Sequence, residues 1–489
     1  MIHAIRGALA LWVAFALPAP IVTPATFGDP WTTDEIATLD ADLDAQLAGA
    51  AALRGAHVGV LAVDTRTGAT LYARNADDEF QPASTFKVVV GSAALDRLGE
   101  DYRFRTTAAF VRAGSLPGVV RNGVFRGALV VHGGGDALLS VRDLDNLALA
   151  VAQRGIKHIQ GSIVIDASRY DRVPYAPGWT WDDFTYDYAA KPSALAVEKD
   201  VVHVHVAPGR FAGAPARWNV APPVVAVSSS VVTLPSGSAT TADVDPDPNG
   251  RLHLSGGIAL GSAPHAIDAA VADPQSYVAK TLVARLRAHG VELRALPLPR
   301  GFRADQQQGA FWSIYSPPLS QLLGKFWIPS DNFVGEMLLK ELGYQTRGAP
   351  GTTQKGIAYE RHWLASLGID PATLTLADGC GMSQYDRITP RDLVAIMQHD
   401  WTGPYRAVVL DALPIGGARG TIEGIAGTPA AGRVFAKTGS MMHVRGLTGY
   451  LATEHHGAVT FAFSVDDWNG DYAALAAVRA AVLSRIITD

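Results

Sequence analysis

Six residues constrain this chain more than any others: Pro82-Ala83-Ser84-Thr85-Phe86-Lys87, which opens the apolar run Val88-Val89-Val90. Proline suits the first turn of a helix, where its missing N–H would have had no partner anyway. Ser84 and Lys87 are then three apart and share a helical face. A serine hydroxyl alone is a weak nucleophile. A lysine beside it can take its proton once burial or a second cation lowers the lysine's proton affinity. The positive end of the helix also favours negative charge developing at Ser84. Taken alone, a serine and a lysine at this spacing read as a helix cap and a solvated charge. What lies downstream changes that.

Two further stretches follow, Ser330-Asp331-Asn332 and Lys437-Thr438-Gly439. The patterns S-x-x-K, S-x-N and K-T-G each occur once, in that order. In type, order and chemistry the set resembles that of penicillin-binding proteins and serine β-lactamases. From Ser84 to Ser330 is 246 positions. That is too many for a compact β-lactamase, so one or two extra domains must lie between.

The N-terminus carries one firm positive charge before an apolar run, Gly7 to Leu17, and then prolines and small residues through Ala25. This reads as a secretory signal peptide over residues 1–25, cleaved near Ala19 to Ala25. The run before Pro18 is short for a bilayer span, which needs about 20 residues, so cleavage is favoured, with an uncleaved anchor as the alternative. The net charge of −5 argues against a nucleic-acid partner. The single cysteine, Cys380, excludes an intramolecular disulfide. Without a Cys cluster or H-E-x-x-H motif, neither a metal nor another cofactor is expected.

Apolar spacing predicts a helix over Asp34 to Leu53 (Ile36, Leu39, Leu43, Leu47), strands at His57 to Asp64 and Ala69 to Arg74, and the Ser84 helix running to Leu98. From about Tyr102 to Arg300 short Val/Ile/Leu runs alternate with glycine and proline, so this region is read as β-rich accessory material. Its runs include Gly127 to His132, Gly161 to Asp166, Val201 to Val206 and Val224 to Val232. His203 and His205 share a strand face; without a third ligand they read as an exposed face rather than a metal pair. His132-Gly133-Gly134-Gly135-Asp136 reads as a tight turn, not a phosphate cradle. The aromatic residues Tyr170, Tyr175, Trp179, Trp181, Phe184, Tyr186 and Tyr188 read as packing, with a sugar or peptide surface as the alternative. Asp245 to Gly250 is predicted as a surface loop and Tyr277 to Gly290 as a helix.

Beyond the insertion, helices are expected at Leu319 to Phe326, Phe333 to Leu342, after Thr389-Pro390, and at Tyr472 to Ile487. Strands are expected at Arg433 to Gly439, Leu447 to Thr453 and Ala458 to Asp466. Glu336 and Lys340 read as a solvated i,i+4 pair. Three late strands beside the N-terminal hairpin predict a five-stranded, mainly antiparallel sheet flanked by helices, an α+β class of fold.

The wider chain resembles the class C low-molecular-mass penicillin-binding proteins, the D-alanyl-D-alanine carboxypeptidase/endopeptidase family. Gly133-Gly134-Gly135-Asp136, Ser162 to Asp166, Pro177-Gly178-Trp179, Ser316-Pro317-Pro318-Leu319, Asp378-Gly379-x-Gly381-Met382-Ser383 and Gly420-Thr421 all resemble its recurrent stretches. The resemblance implies a transpeptidase-like domain over residues 26–101 and 303–489. It also implies an inserted region, 102–302, with a third domain nested in the second. It implies that Ser84 is the acylated nucleophile and Lys87 its base. Ser330 would relay a proton to the leaving D-alanine, and Asn332 would bind the substrate amide. Lys437 would support Ser330 and help keep Lys87 neutral, and Thr438, with Gly439 and Ser440, would hold the substrate. The N–H groups of Ser84 and Ser440 would form the oxyanion hole.

There are two departures. Cys380 stands where the family usually has serine, leaving an oxidisable thiol. The segment Lys325-Phe326-Trp327-Ile328-Pro329 is bulkier and more apolar than expected, which implies a different substrate preference on that side. The reading is thus a DD-peptidase of peptidoglycan stem peptides, inhibited by β-lactams, in the periplasm or cell envelope. A β-lactamase or esterase on the same domain and a non-catalytic peptidoglycan-binding module are the alternatives. Oligomeric state is left open.

Overall fold

The computed structural model of the chain describes residues 20–246, 251–298 and 309–489. Most of the expected signal peptide lies outside the described residues. Its last part does not: Val22 N–H donates to the Gly432 carbonyl at 2.9 Å. Among the described residues no helix is long and apolar enough to cross a membrane. The chain divides into two compact units. One comprises Phe104–Tyr175 and Thr180–Ser316; the other comprises Ala176–Trp179, Pro317–Asp489 and the described part of Ala16–Arg103.

The unit that carries Ser84 is built on one sheet. Its strands are β1 (His57–Asp64), β2 (Thr70–Arg74), β3 (Val434–Met441), β4 (Val444–Ala452) and β5 (Ala458–Asp466). They lie in the order β3-β4-β5-β1-β2, every neighbour antiparallel. The expected five-stranded sheet is therefore present, and β1 and β5 have the predicted bounds. Almost every residue of β5 is buried, because helices cover both faces. Val459, Phe461, Phe463 and Val465 face a cluster with Leu39, Leu43 and Leu47 of helix Thr33–Gly49 and with Leu475, Leu483 and Ile486 of helix Tyr472–Ile487. Burying side chains of this size stabilises the unit by about 1.5–3 kcal/mol each. The alternate residues Thr460, Ala462 and Ser464 are small and face the opposite side.

Four helices position the motifs there. The Ser84 turn, Ala83–Phe86, is 3₁₀ and runs straight into helix Lys87–Leu98. Helix Leu319–Trp327 packs beside it. Phe326 and Trp327 are fully buried, and the Trp327 indole N–H donates to the Lys87 carbonyl at 3.0 Å. These two bulky residues of the Lys325 to Pro329 segment thus pack into the core and hold the Ser84 helix. Helix Asn332–Arg347 is longer than predicted, and its residues from Phe333 to Gly343 are all buried. Glu336 and Lys340 are therefore interior groups, not a solvated pair. Helix Thr353–Ser366, which the sequence reading did not anticipate, covers it.

The other unit holds a six-stranded sheet in which Val124–His132 pairs in parallel with His158–Asp166, joined by helix Val141–Ala152. Strand Trp312–Tyr315 pairs with Arg105–Val111, so it belongs to this unit although it lies beyond residue 302. Two three-stranded sheets and a parallel pair of strands complete it. The expected run Val224 to Val232 is split into Val227–Ser229 and Val232–Leu234, which pair with different strands. Asp245 and Pro246, predicted in a loop, end the strand Asp243–Pro246; residues 247–250 lie outside the described residues. His203 pairs with Asp268 at 2.7 Å on a half-exposed strand face, and His205 joins no three-ligand set among the described residues. Tyr170 is buried, Tyr175 stacks on Phe184, and Trp181 is 83% exposed.

Candidate active site

The site is assembled where the Ser84 turn meets the edge strand β3, the start of helix Asn332–Arg347 and the loop around Cys380. Ala83 reaches the turn with φ 46 and Ser330 sits at φ 62, both in the left-handed region. Such conformations cost roughly 1 kcal/mol or more in non-glycine residues and persist only when their surroundings enforce them. Here the enforcement is close packing. A Cβ on Gly439 would lie 2.5 Å from the Pro82 carbonyl oxygen and 3.2 Å from the Ser84 nitrogen. Only glycine lets β3 run this close to the Ser84 turn. Gly381, at φ 78, would place a Cβ 1.9 Å from the Ala83 carbonyl oxygen.

Lys87 is fully buried, and three oxygens surround its Nζ: Ser84 Oγ at 2.7 Å, Asn332 Oδ1 at 2.6 Å and the Cys380 carbonyl at 2.7 Å. The two fixed acceptors can each take one amine hydrogen. In the neutral amine the lone pair is then left for the Ser84 hydroxyl, the arrangement a general base requires. Burial lowers the lysine's proton affinity, while the Cys380 thiol, Asp378, Asp331 and Glu336 pull it the other way. Burial also pushes the Cys380 thiol well up and Glu336 to about 8, so near neutral pH the opposing falls to Asp378 and Asp331.

Lys437, also fully buried, donates to Ser330 Oγ at 2.9 Å and to the Thr438 carbonyl at 2.8 Å. Burial first, and then repulsion by Lys87, hold it well below the ordinary lysine range. The repulsion between the two amines is mutual, so Lys437 disfavours a proton on Lys87 while the neighbouring acids favour one.

Asp331 caps the helix that begins at Asn332, accepting from Val334 N–H at 3.1 Å. Asn332 turns its Oδ1 to Lys87 and its Nδ2 to Met382 Sδ at 3.0 Å. The Thr438 hydroxyl bonds to that of Thr421, in the Gly420-Thr421 stretch. Ser440 is exposed on β3, one residue beyond Gly439. Of the sequence-derived site residues, Ser84, Lys87 and Asn332 thus form one hydrogen-bonded set. Ser330, Lys437 and Thr438 lie along a second, and Gly439 joins β3 to the Ser84 turn. The residue that sequence reasoning passed over is Asp378, whose carboxylate organises the loop presenting the Cys380 carbonyl. Its only signal was the Asp-Gly-x-Gly run.

A serine on a buried lysine, a second serine on a second buried lysine, and an antiparallel sheet whose edge strand closes on the nucleophile define a serine acyl-transfer enzyme of the penicillin-recognising type. Comparison with known proteins narrows this. The model of the D-Ala-D-Ala carboxypeptidase 3 (S13) family matches residues 39–485, and the chain belongs to that family. A D-alanyl-D-alanine carboxypeptidase of Actinomadura sp. (strain R39) is 33% identical over 84% of this chain and 78% of its own. The crystal structure of penicillin binding protein 4 from Haemophilus influenzae superposes with a TM-score of 0.80 at 25% identity, covering 92% of this chain and 99% of that one. The same Haemophilus protein has also been solved in complex with a β-lactam; at 23% identity and TM-score 0.75 it covers 92% and 99% of the two chains. The protein is a serine-type D-alanyl-D-alanine peptidase.

Proposed function

We propose that Ser84 attacks the carbonyl between the two terminal D-alanines of a peptidoglycan stem peptide, its hydroxyl proton passing to Lys87 Nζ. The oxyanion is received by the N–H groups of Ser84 and Ser440. As the C–N bond breaks, a proton reaches the leaving amine through Ser330, steadied by Lys437. Asn332 binds the substrate amide and Thr438, with Gly439 beside it, the terminal carboxylate. Water then hydrolyses the Ser84 ester. The same steps cut a D-alanyl-diamino-acid cross-link when the leaving amine belongs to a second stem. A β-lactam acylates Ser84 equally well, but its leaving nitrogen stays tethered in the opened ring, so the adduct persists. The observation that carries this reading is the 2.7 Å hydrogen bond between Ser84 and a buried Lys87 whose other hydrogens are bound by fixed acceptors. The β-lactam complex of the Haemophilus relative supports β-lactams as inhibitors here.

Residues 1–25 act as a secretory signal, delivering the enzyme to the periplasm or cell envelope where its substrate lies. The unit that carries Ser84, Lys87, Ser330 and Lys437 is the catalytic domain, and the unit of Phe104–Tyr175 and Thr180–Ser316 the accessory region inserted in it. The decisive experiment is intact mass after incubation with benzylpenicillin, on wild type and Ser84→Ala. A stable adduct on wild type alone is expected. Rapid loss of penicillin without an adduct would instead indicate a β-lactamase, and neither adduct nor turnover would refute the Ser84–Lys87 assignment.

A further inference from the structure

We infer that Asp378 is a positioning residue for the reaction, acting on Lys87 through the main-chain carbonyl of Cys380. The inference rests on the reading of Ser84 and Lys87 as the reacting pair. The direction of the Lys87 lone pair is fixed by two acceptors, Asn332 Oδ1 and the Cys380 carbonyl. The first is a side chain on a helix capped by Asp331. The second is backbone in a segment without regular structure, and its place depends on whatever folds that segment.

Asp378 folds it. The side chain is fully buried at the centre of the turn. Its Oδ1 accepts from the N–H of Cys380 at 3.0 Å and of Gly381 at 2.6 Å. Its Oδ2 accepts from Ser383 N–H at 2.7 Å and from the Trp179 indole N–H at 2.8 Å, and the Cys380 thiol lies 3.6 Å away. N–H donors on both oxygens are a pattern that an ionised carboxylate fills and an amide cannot. Hydrogen bonds to a charged acceptor are also the stronger ones. The same turn lies against the nucleophile, because Gly381 abuts the Ala83 carbonyl. One carboxylate therefore sets both the carbonyl that orients the base and the loop that packs behind the serine.

The ligand-type atoms of Glu336, Asp378 and Cys380 all lie within 4.8 Å of one another. This is a hydrogen-bond hub and not a cation cage. Asp378 is occupied by N–H donors, Glu336 Oε1 accepts from Gly379 N–H at 2.7 Å, and the thiol faces Asp378.

The charge has a second effect. Asp378 and Glu336 face Lys87 from the loop and the helix, Asp331 from the helix cap, and Cys380 from its own turn, while the amine of Lys437 couples to it from β3. A carboxylate at Asp378 favours the protonated lysine that forms as Ser84 is acylated. Asp378→Asn removes that charge and sets an amide NH₂ against N–H donors.

The test is the pH dependence of benzylpenicillin acylation for wild type, Asp378→Asn and Trp179→Phe. Asp378→Asn is expected to slow the acylation step by about 10–100-fold with less than about a threefold change in initial binding. Its rising pH limb is expected to move to lower pH, since a lost anion lowers a neighbouring lysine's proton affinity. Trp179→Phe removes one donor but no charge, so acylation should slow by about 3–10-fold with the limb in place. A limb and rate like wild type in Asp378→Asn would overturn the inference. If that variant does not fold, unchanged acylation in Trp179→Phe would do so. Absence of acylation in wild type would remove the Ser84–Lys87 reading itself, a distinct outcome.

Discussion

Two lysines share this site, and burial makes each of them reluctant to hold a proton. Lys87 is compensated by Asp378 and Asp331; for Lys437, among the described residues, the neighbouring charge that counts is Lys87. On the proposed reading, the proton taken from Ser84 therefore belongs on Lys87. Acylation should rise with pH through a midpoint below the ordinary lysine value, because only the neutral amine accepts a proton. Lys87→Ala should lose about 10³-fold or more of the acylation rate, together with that midpoint. Lys437→Ala should slow acylation by about 10–100-fold with a midpoint still below the ordinary lysine value, since burial is the larger cause. A midpoint that reaches the ordinary lysine value in Lys437→Ala, followed by stopped-flow acylation, would show that repulsion is the larger cause. Cys380 offers a second test at this scale. Its thiol is buried and pushed well up, and only the thiolate reacts. The oxidisable thiol anticipated from sequence is thus shielded: a thiol reagent should label Cys380 only on unfolding. Cys380→Ser should keep activity and raise stability by roughly 0.5–1 kcal/mol, because a hydroxyl can approach Asp378 closer than sulfur does.

Among the elements, the contact that matters most is an edge strand laid against a helix start. Gly439 lets β3 touch the Ser84 turn, and the atoms an added Cβ would meet are backbone, which cannot rotate away. Gly439→Ala should push β3 outward and slow acylation by about 10–100-fold, with a fall in stability of roughly 1–3 kcal/mol. Comparable loss of both activity and fold would mean that the strand's packing, not its position at the nucleophile, is what the glycine serves. This junction was legible in the sequence as three short motifs, because their chemistry needs fixed residue types. The sheet was legible too: β1 and β5 are short, mainly apolar runs, and the helices at either end of the chain carry apolar stripes. What the sequence concealed lies where burial erases periodicity. Helix Asn332–Arg347 is enclosed from Phe333 to Gly343, so Glu336 and Lys340, polar at i and i+4, looked like a solvated pair. Trp327 looked like an oddity beside a substrate site, although its indole is tied to the Lys87 backbone. The role inferred for Asp378 was legible only as the Asp-Gly-x-Gly run, since it depends on backbone N–H groups that carry no sequence signature.

Taken as a whole, the chain buries more acid than its activity requires, and that shapes its stability. Burial raises Glu336 to about 8, Asp400 to about 7 and Asp136 to about 6, and raises Glu360, Asp386 and Asp200 well above their ordinary values. Some of these keep an oxygen without a hydrogen-bond partner among the described residues: both oxygens of Glu360, and Oδ2 of Asp386 and Asp200. Each is held protonated in the native state at pH values where the unfolded chain has released its proton. The native state then binds more protons than the unfolded one, and stability falls as pH rises. For Glu336 the contribution is complete below the ordinary value of 4.5 and is lost as pH climbs through about 8. Buried Lys87 and Lys437 act in the opposite sense, because the unfolded chain binds their protons more tightly, and their relief comes only as the lysines lose charge. Glu336→Gln isolates the acid term, since the amide oxygen can still accept from Gly379 N–H while nothing titrates. Relative to wild type, the variant should gain stability between pH 5 and pH 9 by on the order of 3 kcal/mol. Thermal or urea unfolding at several pH values measures the difference directly. A difference that stays flat across that range would mean that Glu336 is ionised throughout, its charge held by Lys340 one helical turn on.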